Sequence, residues 1–245
     1  MNIFNVKIEF DSQVLHNTIE KHIKEQKKAY VCVIDGNIIT LVQKDLHYRE
    51  IINQATINTC DGSSIAMMAN KIYGTNYSAY SGPDIFEHYV EQPYKHLLLG
   101  NTAKKVEQIK ARIKEKGLEV DMQHVNVPFV SVEEFDYKEI ACQINDIKPD
   151  IVWVSLGAPK QEKFIANIFP YVTQGVFFGI GAAFNFYTGD LHNNKKELGG
   201  LRLIWLERLF KEPKKQWNRI WNYIFTIPKI FLNEYKISRK VNKLK

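Results

Sequence analysis

Four short segments of this 245-residue chain combine glycine with side chains able to bind charge or move a proton. They are Asp61-Gly62, Ser81-Gly82-Pro83-Asp84, Gly157-Ala158-Pro159-Lys160-Gln161-Glu162-Lys163 and Gly179-Ile180-Gly181-Ala182-Ala183-Phe184. Glycine lets backbone N–H groups come close to a phosphate, and a helix starting just beyond such a turn presents partial positive charge to an anion. Each segment also has a plain structural reading. Asp61-Gly62 could be a helix-capping turn, and Lys160–Lys163 a solvated first turn. Gly179-x-Gly181 is a weak signal alone, and Phe184 stands where the dinucleotide fingerprint wants Gly or Ala, which disfavours an NAD site. Metal binding has no local support. Cys32, Cys60 and Cys142 are odd in number and widely spaced, and the seven histidines form no H-x-x-x-H or H-E-x-x-H pattern.

These segments need a scaffold that brings them together, and the hydrophobic patterning supplies one. Short apolar runs at Tyr30–Ile34, His96–Gly100, Val120–Val127, Ile151–Leu156 and Gly175–Phe178 read as strands. A further strand at Thr56–Cys60 leads into Asp61. Helical patterns lie between them: Ile38–Ala55, Ser64–Tyr73 ended by Gly74, Ile85–Val90, the Val106/Ile109/Ile113 stripe closed by Gly117, Glu133–Ile147, and Pro159–Ile168. Strands alternating with helices predict an α/β fold with a Rossmann-like parallel-sheet core. Ligands of such open sheets bind at the carboxyl ends of the strands, where all four segments fall.

The charge is unevenly placed. From Lys195 onward there are 14 Lys and Arg against 4 acidic residues, a net of +10, which leaves −4 on residues 1–194. Beyond Gly200 tryptophans and basic residues occur together in a pattern read as helical, and Trp217, Ile220, Trp221, Ile224 and Phe225 fall on one helical stripe with Lys214, Lys215 and Arg219 off it. An aromatic, amphipathic, basic helix fits an anionic membrane interface, although the same stripe could pack on the core. Nucleic acid is disfavoured, since no DNA-binding motif accompanies the charge. The expected organisation is a core over residues 1–195 and a basic helical appendage over 196–245, with the hydrophilic Asp190–Gly200 stretch as boundary. No run of about 20 apolar residues is present, so a cytosolic protein held peripherally at the inner membrane face is expected.

Taken in order, Asn58-Thr59-Cys60-Asp61-Gly62, Ser81-Gly82-Pro83-Asp84, Leu156–Lys163, Gly179–Phe184 and Trp205-Leu206-Glu207-Arg208-Leu209-Phe210-Lys211-Glu212-Pro213 resemble the motifs of the WecG/TagA/CpsF glycosyltransferases, family 26. The resemblance runs from about Tyr30 to Trp221. It implies an inverting transferase that moves an N-acetylmannosamine-type sugar, or a related hexose, from a UDP-sugar to an undecaprenyl-diphosphate-linked acceptor in capsule, teichoic acid or common-antigen synthesis. It also implies a reaction without a bound metal ion or other cofactor, and the sequence contains no D-x-D motif. The residues depart from the family's usual ones at Asp35, Ala79 and Ile204, which leaves the donor sugar open.

Carried onto this chain, the resemblance makes Asp61 the base that takes the acceptor's proton. Asn37 would position the acceptor or sugar. Asp84, Lys160, Gln161 and the backbone at Gly179, Gly181 and Ala182 would bind the nucleotide-sugar, and Arg202 and Arg208 would close over the diphosphate. Association with further copies of the chain is allowed by the sequence. The competing readings are a nucleotide-sugar epimerase or dehydrogenase and a non-enzymatic membrane-binding module.

Overall fold

A computed structural model describes the backbone of residues 1–191, 197–198, 201–202 and 213–243, and side chains over 1–191 and 221–240. The chain opens with a hairpin, β1 (Asn2–Ile3) and β2 (Val6–Lys7), followed by α1 (Ser12–Lys24). Then come β3 (Lys28–Ile34), α2 (Gly36–Val42), α3 (Leu46–Asn53), β4 (Ile57–Cys60), α4 (Ser63–Tyr73), α5 (Gly82–Val90) and β5 (His96–Leu99). The second half runs α6 (Ala103–Glu115), β6 (Met122–Val125), α7 (Tyr137–Ile147), β7 (Ile151–Val154), α8 (Lys160–Ile168), β8 (Gly175–Gly179) and α9 (Ala183–Tyr187). A two-residue ribbon, β9 (Glu197–Leu198) with β10 (Leu201–Arg202), precedes a 31-residue helix, α10 (Pro213–Lys243).

Strands β3 to β8 form one six-stranded parallel sheet in the order β4-β3-β8-β7-β5-β6. The interior strands are buried along their length, as a parallel sheet covered on both faces requires. Ile38, Ile39 and Val42 of α2, together with Phe164, Ile165 and Ile168 of α8, belong to the apolar layer on one face. Val106, Ile109 and Ile113 of α6, with Ala183, Phe184 and Tyr187 of α9, belong to the layer on the other. The chain therefore leaves β3 and β7 toward one face and leaves β8, which lies between them, toward the opposite face. Neighbouring strands whose connections part in this way open a crevice above their carboxyl ends.

Several boundaries differ from the sequence pattern, each for a local reason. The helix expected over Ile38–Ala55 is two helices, because Asp45 accepts a hydrogen bond from Tyr48 N at 2.9 Å and starts α3 anew. The helix expected over Glu133–Ile147 begins as a 3-10 turn at Val132–Glu134, closed by a reciprocal Ser131–Glu134 capping box, and restarts at Asp136, whose carboxylate caps Glu139 N at 3.0 Å. Leu201–Arg202, read as helical, lies in an antiparallel ribbon with Glu197–Leu198, and Gly199-Gly200 are the two residues between.

Helix α10 packs on α2 and α4. Ile227 and Ile230 enter the same buried cluster as the sheet, each contributing roughly 1.5–3 kcal/mol by burial. Polar ties flank them: Glu234 accepts the Tyr73 hydroxyl at 2.5 Å and the Phe4 N–H at 3.2 Å, and Lys44 donates to Asn222 at 2.7 Å. Trp221, Ile224, Phe225 and Leu232 point away from the body, and the Trp221 and Phe225 rings stack at 5.4 Å. Over its described part this stripe is therefore largely exposed. Trp217 and Ile220 lie where side chains are not described. No helix among the described residues is long and apolar enough to cross a membrane.

Candidate active site

The crevice is walled by the turns after β3, β4, β7 and β8. Ile34 pairs with Cys60, so the next residues, Asp35 and Asp61, stand side by side beyond the ends of adjacent strands. Asp35 caps α2 by accepting from Ile38 N at 2.8 Å. Asp61 Oδ1 accepts the N–H of Gly82 at 2.7 Å, a bond that spans the chain's passage from α4 on one face to α5 on the other. That contact fixes the direction of the carboxylate. Asn37, half-buried in the first turn of α2, makes no side-chain hydrogen bond among the described residues.

Opposite them Gln161, only 5% exposed, ties two loops together. Its Oε1 accepts from Gly157 N and from Gly181 N, both at 3.0 Å, and its Nε2 donates to Glu162 at 2.8 Å. Ser155 adds a second tie by donating to the Gly181 carbonyl at 2.7 Å. The two glycines of Gly179-x-Gly181 have a packing reason. A Cβ on Gly179 would lie 3.1 Å from Gln161 Nε2, and one on Gly181, whose φ is +32°, 3.2 Å from Gln161 Oε1.

Tyr223 of α10 closes one side of the crevice. Its hydroxyl donates to Ser64 at 2.5 Å, and a Cβ on Gly36 would meet its ring at 2.0 Å. Glycine between Asp35 and Asn37 is what admits the ring. Burial raises the Tyr223 phenol's pKa above its usual value, so the group stays a neutral donor.

The whole length of the chain decides what this crevice belongs to, because the family model for "Glycosyl transferase WecG/TagA/CpsF family" matches residues 1–242. The chain belongs to the WecG/TagA/CpsF glycosyltransferase family. It is 28% identical to an N-acetylglucosaminyldiphosphoundecaprenol N-acetyl-beta-D-mannosaminyltransferase of Bacillus subtilis (strain 168), over 89% of this chain and 84% of that protein. It is also 25% identical to the protein of the same name from Bacillus spizizenii (strain ATCC 23059 / NRRL B-14472 / W23), over 85% of this chain and 79% of the relative. The chain is thus a glycosyltransferase, and the α/β fold with its parallel sheet agrees with the reading of the sequence.

Within this WecG/TagA/CpsF member the residues singled out by sequence fall into three groups. Asn37, Asp61, Gln161, Gly179, Gly181 and Ala182 converge on the crevice. Asp84 takes the Ser81 hydroxyl at 2.6 Å in the first turn of α5, and Lys160 turns outward to donate to the Val130 carbonyl, its Nζ 5.2 Å from the centre of the Phe129 ring. Arg202 lies in β10 with its side chain outside the described residues, and Arg208 lies outside them altogether, as does most of the Trp205–Pro213 motif. Among the described residues no three His, Cys, Asp or Glu side chains gather as a metal ion would require.

Sequence reasoning missed Tyr223, Glu162 and Phe129. Phe129 is 104% exposed beside Lys160. Its only signal was an aromatic residue after proline in the loop following β6. Glu162 is wholly buried, and its charged neighbours in the Lys-Gln-Glu-Lys run made it look solvated.

Proposed function

We propose that the crevice transfers a sugar of the N-acetylmannosamine type from a UDP-sugar to an undecaprenyl-diphosphate-linked acceptor, with inversion and without a metal ion. The observation that carries this reading is Asp61, fixed by Gly82 N–H at 2.7 Å where the sheet opens its crevice. The relatives' names supply the acceptor and the sugar.

The transfer is a single displacement. The acceptor hydroxyl oxygen bonds to the anomeric carbon as that carbon's bond to the diphosphate oxygen breaks. The electron pair leaves on UDP, and the hydroxyl proton passes to Asp61. Asn37 and Tyr223 flank the reacting sugar. The backbone at Gly157 and Gly179–Ala183 lies along the diphosphate, whose charge Arg202 and Arg208 would meet without a cation. The exposed ring of Phe129 offers a face for the nucleobase. Helix α10 presents its apolar stripe to the membrane that holds the acceptor.

Asp61→Asn tests the assignment. Replacing the carboxylate should leave UDP affinity within about twofold and reduce turnover by about 10²–10⁴-fold, the usual share of a positioned base. Turnover near that of the wild type would remove Asp61 from the role.

A further inference from the structure

Beneath the two glycine loops lies a carboxylate that the transfer reaction does not use. Glu162 is the second residue of the Gln161–Glu162 pair on the first turn of α8, with no exposed surface. Its Oε1 accepts from Gln161 Nε2 at 2.8 Å, and its Oε2 accepts the hydroxyl of Tyr48, from α3, at 3.1 Å. Tyr48 is itself buried and caps nothing else; its ring lies 5.8 Å below Lys163 Nζ. Gly179 of β8 leaves the space that Glu162 occupies, since a Cβ there would lie 3.3 Å from Oε1.

The chemistry of these partners sets a direction. A Gln side chain is symmetric in shape but not in polarity: one end only accepts and the other only donates. Gly157 N and Gly181 N both demand the accepting end, and a carboxylate on the far side demands the donating end. We propose that Glu162 is a positioning residue, which with Tyr48 locks the Gln161 amide in the one orientation that clamps the Gly157 and Gly181 loops around the donor diphosphate. This rests on the nucleotide-sugar reading of the crevice.

Burying a carboxylate that forms no ion pair among the described residues works against the stability of the fold, so its retention needs another reason. The described groups facing it do not neutralise it. Asp35 beyond β3 and Cys32 within β3 disfavour its charge or are disfavoured by it, and Tyr48 is a neutral phenol whose own ionisation burial suppresses. Burial, with Asp35 adding to it, raises the Glu162 pKa to about 7 despite hydrogen bonds from Gln161, from its own backbone N–H and from Tyr48. Acid therefore converts the acceptor into a group with an O–H to place. Once protonated, Glu162 competes with Gln161 Nε2 for partners, and the amide loses its fixed sense.

The test compares wild type, Glu162→Gln and Tyr48→Phe in steady-state transfer, with donor and acceptor varied separately, and with melting temperatures at pH 8. The expected result for Glu162→Gln is a donor kcat/KM lower by about 10- to 100-fold, carried mainly by donor KM. Acceptor KM should move less than twofold, and the protein should melt no lower than wild type. Tyr48→Phe should shift donor KM the same way by less. In the wild type donor KM should rise as pH falls through about 7, and in Glu162→Gln it should stay flat over that range. A Glu162→Gln enzyme with wild-type donor kinetics, or one whose loss falls equally on both substrates or follows a lowered melting temperature, would overturn the positioning role. Wild type that transfers no sugar would instead overturn the transferase reading beneath it.

Discussion

Glu162 and Gln161 occupy consecutive positions, and their environments differ from anything their neighbours in sequence suggest. Lys160 and Lys163 on either side bind outward, to the Val130 carbonyl and to Asp45 at 3.0 Å, so the run reads as a hydrophilic first turn while its middle pair is buried. A polar residue in the first helical turn beyond a strand is equally suited to touching a ligand and to fastening two loops, and the partners of Gln161 show that it fastens the Gly157 and Gly181 loops. The caps were no more legible: Asp45 and Asp136 each accept from a helix N–H and start helices inside segments whose apolar pattern reads as continuous. The burial of Glu162 has a consequence for stability. Its folded pKa, about 7, lies above the value of 4.5 for a solvated Glu, so the folded state binds the extra proton between those values. Stability associated with the group is present below about 4.5 and is lost as pH rises through about 7, to the order of 3 kcal/mol. Glu162→Gln does not titrate. In urea unfolding the variant should therefore gain on the wild type between pH 5 and pH 8, and a difference independent of pH would contradict the burial argument.

At the scale of elements, the sheet was readable because every interior strand is a short apolar run between turn residues, a pattern that owes little to tertiary context. The N-terminal hairpin was not. Its strands have two residues each, and the chain reverses through Phe4 and Asn5 at φ of 55° and 64°, a turn held by burial of Ile3, Phe4 and Val6 and by hydrogen bonds from Gln43 and Asn53 to the Phe4 and Asn5 carbonyls. Helix α10 carries two apolar faces, and sequence periodicity detected the outer one. The inner face, Tyr223, Ile227, Ile230 and Glu234, alternates aromatic, aliphatic and acidic residues, so its function as a seam shows only through its contacts. The outer face carries Trp221, Ile224, Phe225 and Leu232 with Lys229 and Lys236 near by. Apolar contact at headgroup depth and up to ~1 kcal/mol per basic residue near an anionic leaflet would together give reversible adhesion. Vesicles containing anionic lipid should sediment the protein at low salt and release it as salt shortens the Debye length from roughly 10 Å at 0.1 M. Trp221→Ala with Phe225→Ala should weaken this binding, and undiminished sedimentation of that variant would show that the outer face is not the adhesive one.

Across the whole molecule, the crevice and the outer stripe of α10 are joined by one residue. Tyr223 reaches Ser64 beside Asp61 and lies over Gly36 beside Asn37, while Trp221 and Phe225 on the same two turns face outward. On the proposed reading, a membrane-held acceptor and a soluble donor would meet across that helix. The family assignment rests on residues 1–242, and the transfer chemistry rests on the claim that this crevice joins a UDP-sugar to a diphosphate-lipid-linked acceptor. The most direct measurement supplies the full chain with a panel of UDP-sugars and N-acetylglucosamine diphosphate on a short prenyl chain, and records both UDP release and product mass in the presence of EDTA. The account predicts UDP release that requires the acceptor, a product heavier by one sugar, and preference for an N-acetylmannosamine-type donor. UDP release unaffected by the acceptor, or no product from any donor in the panel, would contradict it.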